Sequence, residues 1–457
     1  RYKKKFRVQA SFRENYFNKI TVSFMQFNKN SLLKKIKNKK YNIGVIGLGY
    51  VGLPLVNRFL KSKNLKVFGI DNDKEKINLL KKGVSPIKSI KISYFKNFKN
   101  RISDDYSIIN LVDVVIICLP TPLKSNRTPD LKYLEICFKN LSRIDLKDKI
   151  IILESTVYPG VTKKFSNQLI SKNSSYKIGK NIFFGYSPER ENPGDKSFSY
   201  QTTPKVVSGY SDVCLNLMQN IYKTISKKVF STNTLEEAET SKLLENLYRS
   251  INIGLVNEMK LICDRLKINV HKVIDTASTK NFGFQKFIPG PGLGGHCIPI
   301  DPYYLSWISK KKGYVPQMLK SAASINNNMP KLIINKILKY FKKKPKILIF
   351  GISYKKNVDD DRESPSFEFM KILKKKNIYF DFVDPYFEKI RKGRKILIEK
   401  KSIKLNIRNA KNYDCAIIVT DHDKFNYDFI KKNFKYIFDT RGVFLRKKII
   451  SKNIIQV

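Results

Sequence analysis

Asn42-Ile43-Gly44-Val45-Ile46-Gly47-Leu48-Gly49-Tyr50-Val51-Gly52-Leu53-Pro54-Leu55 carries an apolar run into a helical pattern through three spaced glycines. The run before Gly47 is uncharged and reads as a buried strand. Gly47 permits a tight turn, Gly49 lets the backbone approach a pyrophosphate, and Gly52 lets the following helix sit close against the strand. The spacing alone is weak; its setting is what counts. Leu65-Lys66-Val67-Phe68-Gly69-Ile70-Asp71 reads as the next strand and ends in an acid. That acid stands about twenty residues on, where the ribose hydroxyls of a bound dinucleotide lie. A carboxylate there repels a 2′-phosphate, so the expected cofactor is NAD rather than NADP. The competing reading, a glycine-rich turn with no ligand, leaves the matched strand, turn, helix and acid unexplained.

The pattern continues outward from this stretch. Strands are expected at 43–47, 65–70, 113–119, 149–153, 181–185 and 205–208, alternating with amphipathic stretches as a parallel sheet requires. Two of them end in polar turns, Cys118-Leu119-Pro120-Thr121-Pro122 and Leu153-Glu154-Ser155-Thr156-Val157-Tyr158-Pro159-Gly160. Ligands bind at that edge of such sheets, although isolated hydroxyls are more often caps and turn formers. From about 212 the text turns helical. Thr234-Leu235-Glu236-Glu237 looks like a capped start, and Lys242, Asn246 and Arg249 share one face of the helix that follows. From about 331 the strand alternation restarts, through Lys346–Gly351, Tyr379–Pro385, Cys415–Thr420 and Ile437–Asp439. This second set has no glycine triplet after its first strand. It carries Tyr354-Lys355-Lys356-Asn357 and Asp361-Arg362-Glu363-Ser364-Pro365, so it is expected to meet phosphate through side-chain cations. The expected fold is α/β: two Rossmann-like doubly wound parallel-sheet domains joined by a long central helical segment. The boundaries are 42–211, 212–330 and 331–457, with 1–41 a basic N-terminal extension that is expected to be loose.

Composition narrows the class. The chain has 457 residues, 89 Lys and Arg against 38 Asp and Glu, and a formal net charge of +51. Such a charge raises a nucleic-acid reading. The lysines are spread along the whole chain, however, and no zinc-finger spacing, RNA-recognition motif or helix-turn-helix signature accompanies them. No specific nucleic-acid partner is expected. The six cysteines are scattered without a CxxC pair, which suits a reducing cytoplasm and neither a disulfide framework nor a metal site. No apolar run has the length of a membrane span.

One segment bears on chemistry directly: Pro289-Gly290-Pro291-Gly292-Leu293-Gly294-Gly295-His296-Cys297-Ile298-Pro299-Ile300-Asp301-Pro302. Four glycines and three prolines before Asp301 describe a pre-shaped loop around one thiol. A thiol held this way suits covalent catalysis; a buried, inert cysteine is the plainer alternative. His296 is assigned no chemistry.

With these motifs in this order, the chain from about 42 to 457 resembles the UDP-glucose/GDP-mannose dehydrogenase family. Its loop GPGLGGHCIPIDPYYLSW and Gly185-Tyr186-Ser187-Pro188-Glu189-Arg190-Glu191-Asn192-Pro193-Gly194-Asp195 are most similar to the branch acting on UDP-N-acetylglucosamine. The resemblance implies Cys297 as nucleophile, with Lys242, Asn246 and Asp301 in its polar pocket. It implies Glu189 as general base in thioester hydrolysis, and Thr156 beside the reacting carbon. It gives Gly47, Gly49, Tyr50, Val51, Gly52 and Asp71 to the dinucleotide, with Thr121 and Arg362 near its phosphates. Lys355, Arg441, Gly294 and Gly295 go to the nucleotide sugar, and no residue to a metal. A homodimer or larger homo-oligomer is expected, in the cytoplasm and away from the membrane. Glu154 stands where the glucose-specific branch often has lysine, which argues against plain UDP-glucose.

What the resemblance implies is a four-electron oxidation. The C6 alcohol of a UDP-sugar becomes an aldehyde, Cys297 traps it as a thiohemiacetal, a second oxidation gives a thioester, and water releases the uronate for surface polysaccharide synthesis. UDP-glucose, UDP-N-acetylgalactosamine and UDP-N-acetylmannosamine are the alternative substrates. A one-step alcohol dehydrogenase on the same fold is the rival within enzymes, and a basic nucleic-acid-binding protein the rival outside them.

Overall fold

The expected apolar runs become strands within a residue or two of their expected bounds. The protein was examined as a computed structural model, which describes residues 31–62, 64–87, 90, 98–190, 203–295, 298–390 and 398–457. Residues up to 122 together with 130–242 form one unit, and 123–129 together with 243–457 form another.

In the first unit the strands are β1 (Asn42–Ile46), β2 (Lys66–Ile70), β3 (Ile102–Ser103), β4 (Val114–Ile117), β5 (Lys149–Leu153), β6 (Ile182–Tyr186), β7 (Lys205–Gly209) and β8 (Val229–Ser231). Their order in the sheet is β3-β2-β1-β4-β5-β6-β7-β8. Strands β1, β4, β5 and β6 are buried almost throughout, which is why they read as unbroken Ile, Val and Phe rather than as alternation. Ile43 lies against Val67 on one side and Val114 on the other. The strand order therefore reverses between β1 and β4, and the ligand edge of such a sheet is found at that reversal. Strand β7 departs from the parallel expectation: it runs antiparallel to β6, with Gly185 opposite Gly209. An antiparallel pair needs no crossover helix between its strands.

The helix Ser31–Lys37 lies inside the extension expected to be loose. Leu32, Leu33 and Ile36 are buried in the same core as Tyr41, Val45 and Tyr222, and Lys35 pairs with Asp113 at 2.7 Å. Three apolar residues on one helical face outweigh the basic composition around them. Residues 1–30 lie outside the described residues.

The second unit holds β9 (Ile347–Phe350), β10 (Phe380–Val383), β11 (Cys415–Ile418), β12 (Tyr436–Asp439) and β13 (Ile454–Gln456), in the order β10-β9-β11-β12-β13 and all parallel. The helix Gln317–Leu338 covers this sheet with Met329, Ile333, Ile334 and Ile337.

The boundary between the units falls inside the helix Leu235–Leu266, between Lys242 and Leu243. At 32 residues it is about 48 Å long. Its start is a reciprocal cap. The Glu237 amide donates to Thr234 Oγ1 at 3.1 Å, and Glu237 Oε2 accepts from the amides of Asn233 and Thr234.

Leu33→Ala is expected to cost about 2–5 kcal/mol, as truncation of a packed core residue does. Lys34→Ala, on the exposed side of the same turn, should change stability by less than about 0.5 kcal/mol. Chemical denaturation of the two variants checks the contrast; equal effects would mean the helix is not part of the core.

Candidate active site

The glycines of the first turn are explained by distances. Gly47 has φ +94°, a backbone conformation that side chains resist, and a Cβ there would meet the Cys118 carbonyl oxygen at 2.6 Å. A Cβ on Gly52 would stand 1.9 Å from the Gly47 carbonyl oxygen, so only glycine fits. Gly49 is different: a Cβ there meets nothing within 4 Å. Crowding within the chain therefore does not require glycine at 49. The helix Gly52–Phe59 has no side-chain cap at its start; the Leu53 amide donates back to the Gly49 carbonyl at 3.0 Å, and Pro54 carries no N–H. At the end of β2, Asp71 is buried and accepts from the Leu48 amide at 2.8 Å and from Lys76 Nζ at 2.7 Å. These features fit a dinucleotide.

The neighbouring turns, after β4 and β5, are stitched together. Thr121 Oγ1 donates to the Thr156 carbonyl at 2.7 Å, and Ser155 Oγ donates to the Leu119 carbonyl at 2.7 Å. Two of the expected residues, Thr121 and Thr156, are thus adjacent. Two residues before Thr156, Glu154 is fully buried in a polar cluster. Its carboxylate accepts from Lys205 Nζ at 3.0 Å and from the Tyr222 hydroxyl. Burial pushes the Glu154 carboxyl up, against the pull of Lys205. Burial alone would push the Lys205 ammonium down, but Glu154, with Glu189 behind it, holds it above its ordinary value. Lys242, also in the first unit, donates from Nζ to the Glu189 carbonyl oxygen.

In the second unit, Asn246 Nδ2 donates to Asp301 Oδ2 at 2.5 Å, with both residues buried. Asp301 opens the helix Asp301–Lys311. Cys297 and His296 lie outside the described residues, but the loop before them is closely held. The Gly290 amide donates to Asn257 Oδ1 at 2.9 Å, Asn257 Nδ2 donates to Asn326 Oδ1, and Asn326 Nδ2 donates to the Ser250 carbonyl. A Cβ on Gly294 or Gly295 would meet the Tyr354 ring side chain at 2.8 or 2.9 Å, and one on Gly290 would meet Arg441 Nη1 at 2.8 Å.

Residues 41–226 match the NAD binding domain of the UDP-glucose/GDP-mannose dehydrogenase family, 236–328 its central domain, and 348–446 its UDP binding domain. The chain belongs to this family of NAD-dependent UDP-sugar dehydrogenases. It is 32% identical to a UDP-N-acetyl-D-glucosamine 6-dehydrogenase of Pseudomonas aeruginosa over 76% of this chain and 83% of that protein. It is also 32% identical to a UDP-N-acetyl-D-mannosamine dehydrogenase of Methanococcus aeolicus, over 89% of this chain and 90% of that one. Among solved structures, a UDP-D-ManNAc dehydrogenase of Pyrococcus horikoshii superposes with TM-score 0.79 at 29% identity, covering 91% of this chain and 97% of that chain.

For a member of this family, the remaining expected residues fall as follows. Tyr50 and Val51 are half-buried against the first core. Arg362, expected near the dinucleotide phosphates, grips Asp360 with Nε at 2.9 Å and Nη2 at 2.6 Å, and its carbonyl accepts from the Gly295 amide. Lys355 follows β9, and Arg441 follows β12, with Nε donating to the Val419 carbonyl at 2.8 Å. Among the described residues no helix is long and apolar enough to cross a membrane, and no group of three His, Cys, Asp or Glu is placed to hold a metal ion.

Sequence reasoning missed Lys205, Tyr222, Asn257, Asn326 and Glu239. The last is buried, accepts from the Gly160 and Thr162 amides at 2.6 and 2.9 Å, and closes the start of the helix Val161–Ser171. Its position two residues after Glu237, just past the charged first turn of a long helix, carries no distinguishing pattern.

Two predictions follow from this geometry. Gly52→Ala should fail to fold or lose several kcal/mol, since only backbone movement relieves a 1.9 Å contact. Gly49→Ala should melt like the parent yet bind NAD more weakly, which thermal melts and NAD titration would separate. The second concerns Glu239, which burial pushes up to about 7 from 4.5. Between those values the folded chain keeps a proton that the unfolded chain has lost. Stability therefore falls as pH rises from 4.5 to 7, by roughly 3 kcal/mol. Glu239→Gln should flatten that slope in melts recorded across this range; an unchanged slope would assign it to other groups.

Proposed function

We propose that this chain oxidises the C6 hydroxymethyl of UDP-N-acetylglucosamine to the carboxylate, in two oxidations joined by a covalent intermediate on Cys297. The observation that carries the reading is the buried Asn246–Asp301 hydrogen bond, which fixes the residue four places after Cys297 at the end of the glycine loop. The N-acetylglucosamine assignment is supported by the Pseudomonas aeruginosa relative and by Glu154, which is paired with Lys205 instead of being a lysine itself. UDP-N-acetylmannosamine is the second reading, favoured by the equally similar Methanococcus aeolicus relative.

NAD, when bound, supplies the hydride acceptor for both oxidations. Gly47, Gly49, Tyr50, Val51, Gly52 and Asp71 would hold it, with Thr121 and Arg362 toward its phosphates. The chain's own residues do the rest. Cys297 adds through sulfur to the aldehyde carbon and keeps it bound between the oxidations, and afterwards carries the thioester. Lys242 is the cation that stabilises negative charge on the substrate oxygen and favours the thiolate. Asp301, oriented by Asn246, and Glu189 take protons, Glu189 from the water that attacks the thioester. Thr156 contacts the hydroxyl being oxidised. Lys355, Arg441, Gly294 and Gly295 receive the nucleotide sugar.

The functional segments in this reading are 42–211 for NAD, 212–330 for the catalytic loop and 331–457 for the UDP-sugar, in a cytoplasmic homo-oligomer. Leu244, Tyr248, Leu255, Ile262 and Leu266 are exposed along one face of the central helix and support self-association.

The test is the NADH formed per limiting UDP-N-acetylglucosamine, with UDP-N-acetylmannosamine and UDP-glucose run beside it. Two NADH per sugar, with N-acetylglucosamine preferred, is the expected result. Cys297→Ser should stop after one oxidation. One NADH per sugar in the parent protein, or full turnover by Cys297→Ser, would remove the covalent intermediate.

A further inference from the structure

Glu189 sits between two peptide groups, and each is gripped by a different lysine. Lys205 Nζ donates to the Pro188 carbonyl at 3.0 Å, in the peptide plane before Glu189. Lys242 Nζ donates to the Glu189 carbonyl, in the plane after it. Fixing both planes fixes the backbone angles of Glu189, and with them the direction of its Cα–Cβ bond. Pro188 stiffens the approach further through its ring. The turn is also held from below: the Ser187 amide donates to the Leu153 carbonyl at 3.0 Å, and Ser187 Oγ to the Val206 carbonyl at 2.6 Å.

Lys205 is an expensive way to hold a carbonyl. Its side chain is 2% exposed and that of its partner Glu154 0%. A buried ion pair of this kind is often replaced by apolar residues with no loss of stability, so stability alone does not account for it. The pair has a third member, since the Tyr222 hydroxyl donates to the other oxygen of Glu154 and the Lys205 ammonium lies 5.1 Å from the Tyr222 ring centre. Glu154 and Tyr222 thus hold the ammonium in one place, and one of its N–H bonds is directed at Pro188. Residues 154, 205 and 222 come from the end of β5, the start of β7 and the end of the helix Asp212–Tyr222.

We propose that Lys205, held by Glu154 and Tyr222, is a positioning residue that aims the Glu189 carboxyl. This rests on the reading of Glu189 as the base of thioester hydrolysis. In that step water loses a proton to Glu189, and its oxygen bonds to the thioester carbonyl carbon. The carbon–sulfur bond then breaks, and the electron pair leaves on Cys297 as thiolate. Neither oxidation uses Glu189 in this way, so a misaimed carboxyl slows hydrolysis and leaves the earlier steps alone.

The experiment compares the parent enzyme with Glu154→Gln/Lys205→Met, which removes both buried charges together, and with Lys205→Arg and Glu189→Gln. Each is mixed with NAD and UDP-N-acetylglucosamine, or with whichever UDP-sugar the parent turns over. NADH is followed from the first turnover, and intact mass reports sugar bound covalently to the protein. The double variant should release its first two NADH per subunit at close to the parent rate. Its steady state should fall roughly 10- to 100-fold, the scale of a catalytic group displaced by about an ångström, and the covalent adduct should accumulate. Hydroxylamine, which cleaves a thioester without a general base, should discharge it. Lys205→Arg keeps the charge but moves the donor, and should show the same split; it decides the matter should the double variant fail to fold. A first turnover and steady state that fall together overturn the proposal, as does an adduct in Glu189→Gln that is absent from the Lys205 variants. Absence of adduct from Glu189→Gln itself overturns the base reading, and the proposal with it.

Discussion

A side chain on Gly52 would have to occupy the space of the Gly47 carbonyl oxygen, and the organisation of the N-terminal unit depends on that lack of room. The helix after β1 can start only where its first turn touches the backbone that precedes it. That contact places the helix start at the carboxyl end of β1, beside β4, where the strand order reverses. Asp71 then reaches back to the Leu48 amide from the end of β2, so the turn and the acid are one hydrogen-bonded unit. The same edge carries Thr121, Glu154, Thr156 and Glu189, each within a few residues of its strand's end.

The second unit solves a related problem with the glycines on the other side of the contact. The turns after β9 and β12 bring Tyr354 and Arg441, and it is the loop at 290–295 that must be bare to accept them. Its glycines are explained by bulk on the facing surface, and its path by the Asn257–Asn326 amides beneath it. A change in the turns after β9 or β12 would therefore also reach the loop at 290–295.

Most of the sheet could be read from the chain because parallel strands buried on both faces appear as unbroken apolar runs. The glycine triplet fixed where the first of them ended. What escaped were elements without that contrast. Strands β3 and β8 are two and three residues long, and the helix Ser31–Lys37 hides its three apolar residues among lysines. The polar clusters escaped for another reason. Glu154 and Tyr222 are 68 positions apart, and Asn257 and Asn326 are 69 apart, so neither pair has a spacing to read. Glu154 stood out only as an acid where the glucose-specific branch often has lysine; its burial and its pairing with Lys205 carried no sequence signal. The residues given to catalysis and nucleotide binding were found through motif order, which fixes positions in the chain and not partners in space.

The helix Ser31–Lys37 meets the sheet beside Asn42 and Asp113, at the amino ends of β1 and β4. The turn at Gly47 and the acids near it occupy the opposite edge. The chain at residue 31 therefore lies at the edge opposite the glycine turn. A fluorescent protein or a surface anchor joined directly at residue 31 would leave that turn uncrowded, and the buried turn of Leu32, Leu33 and Ile36 would bear the load between them.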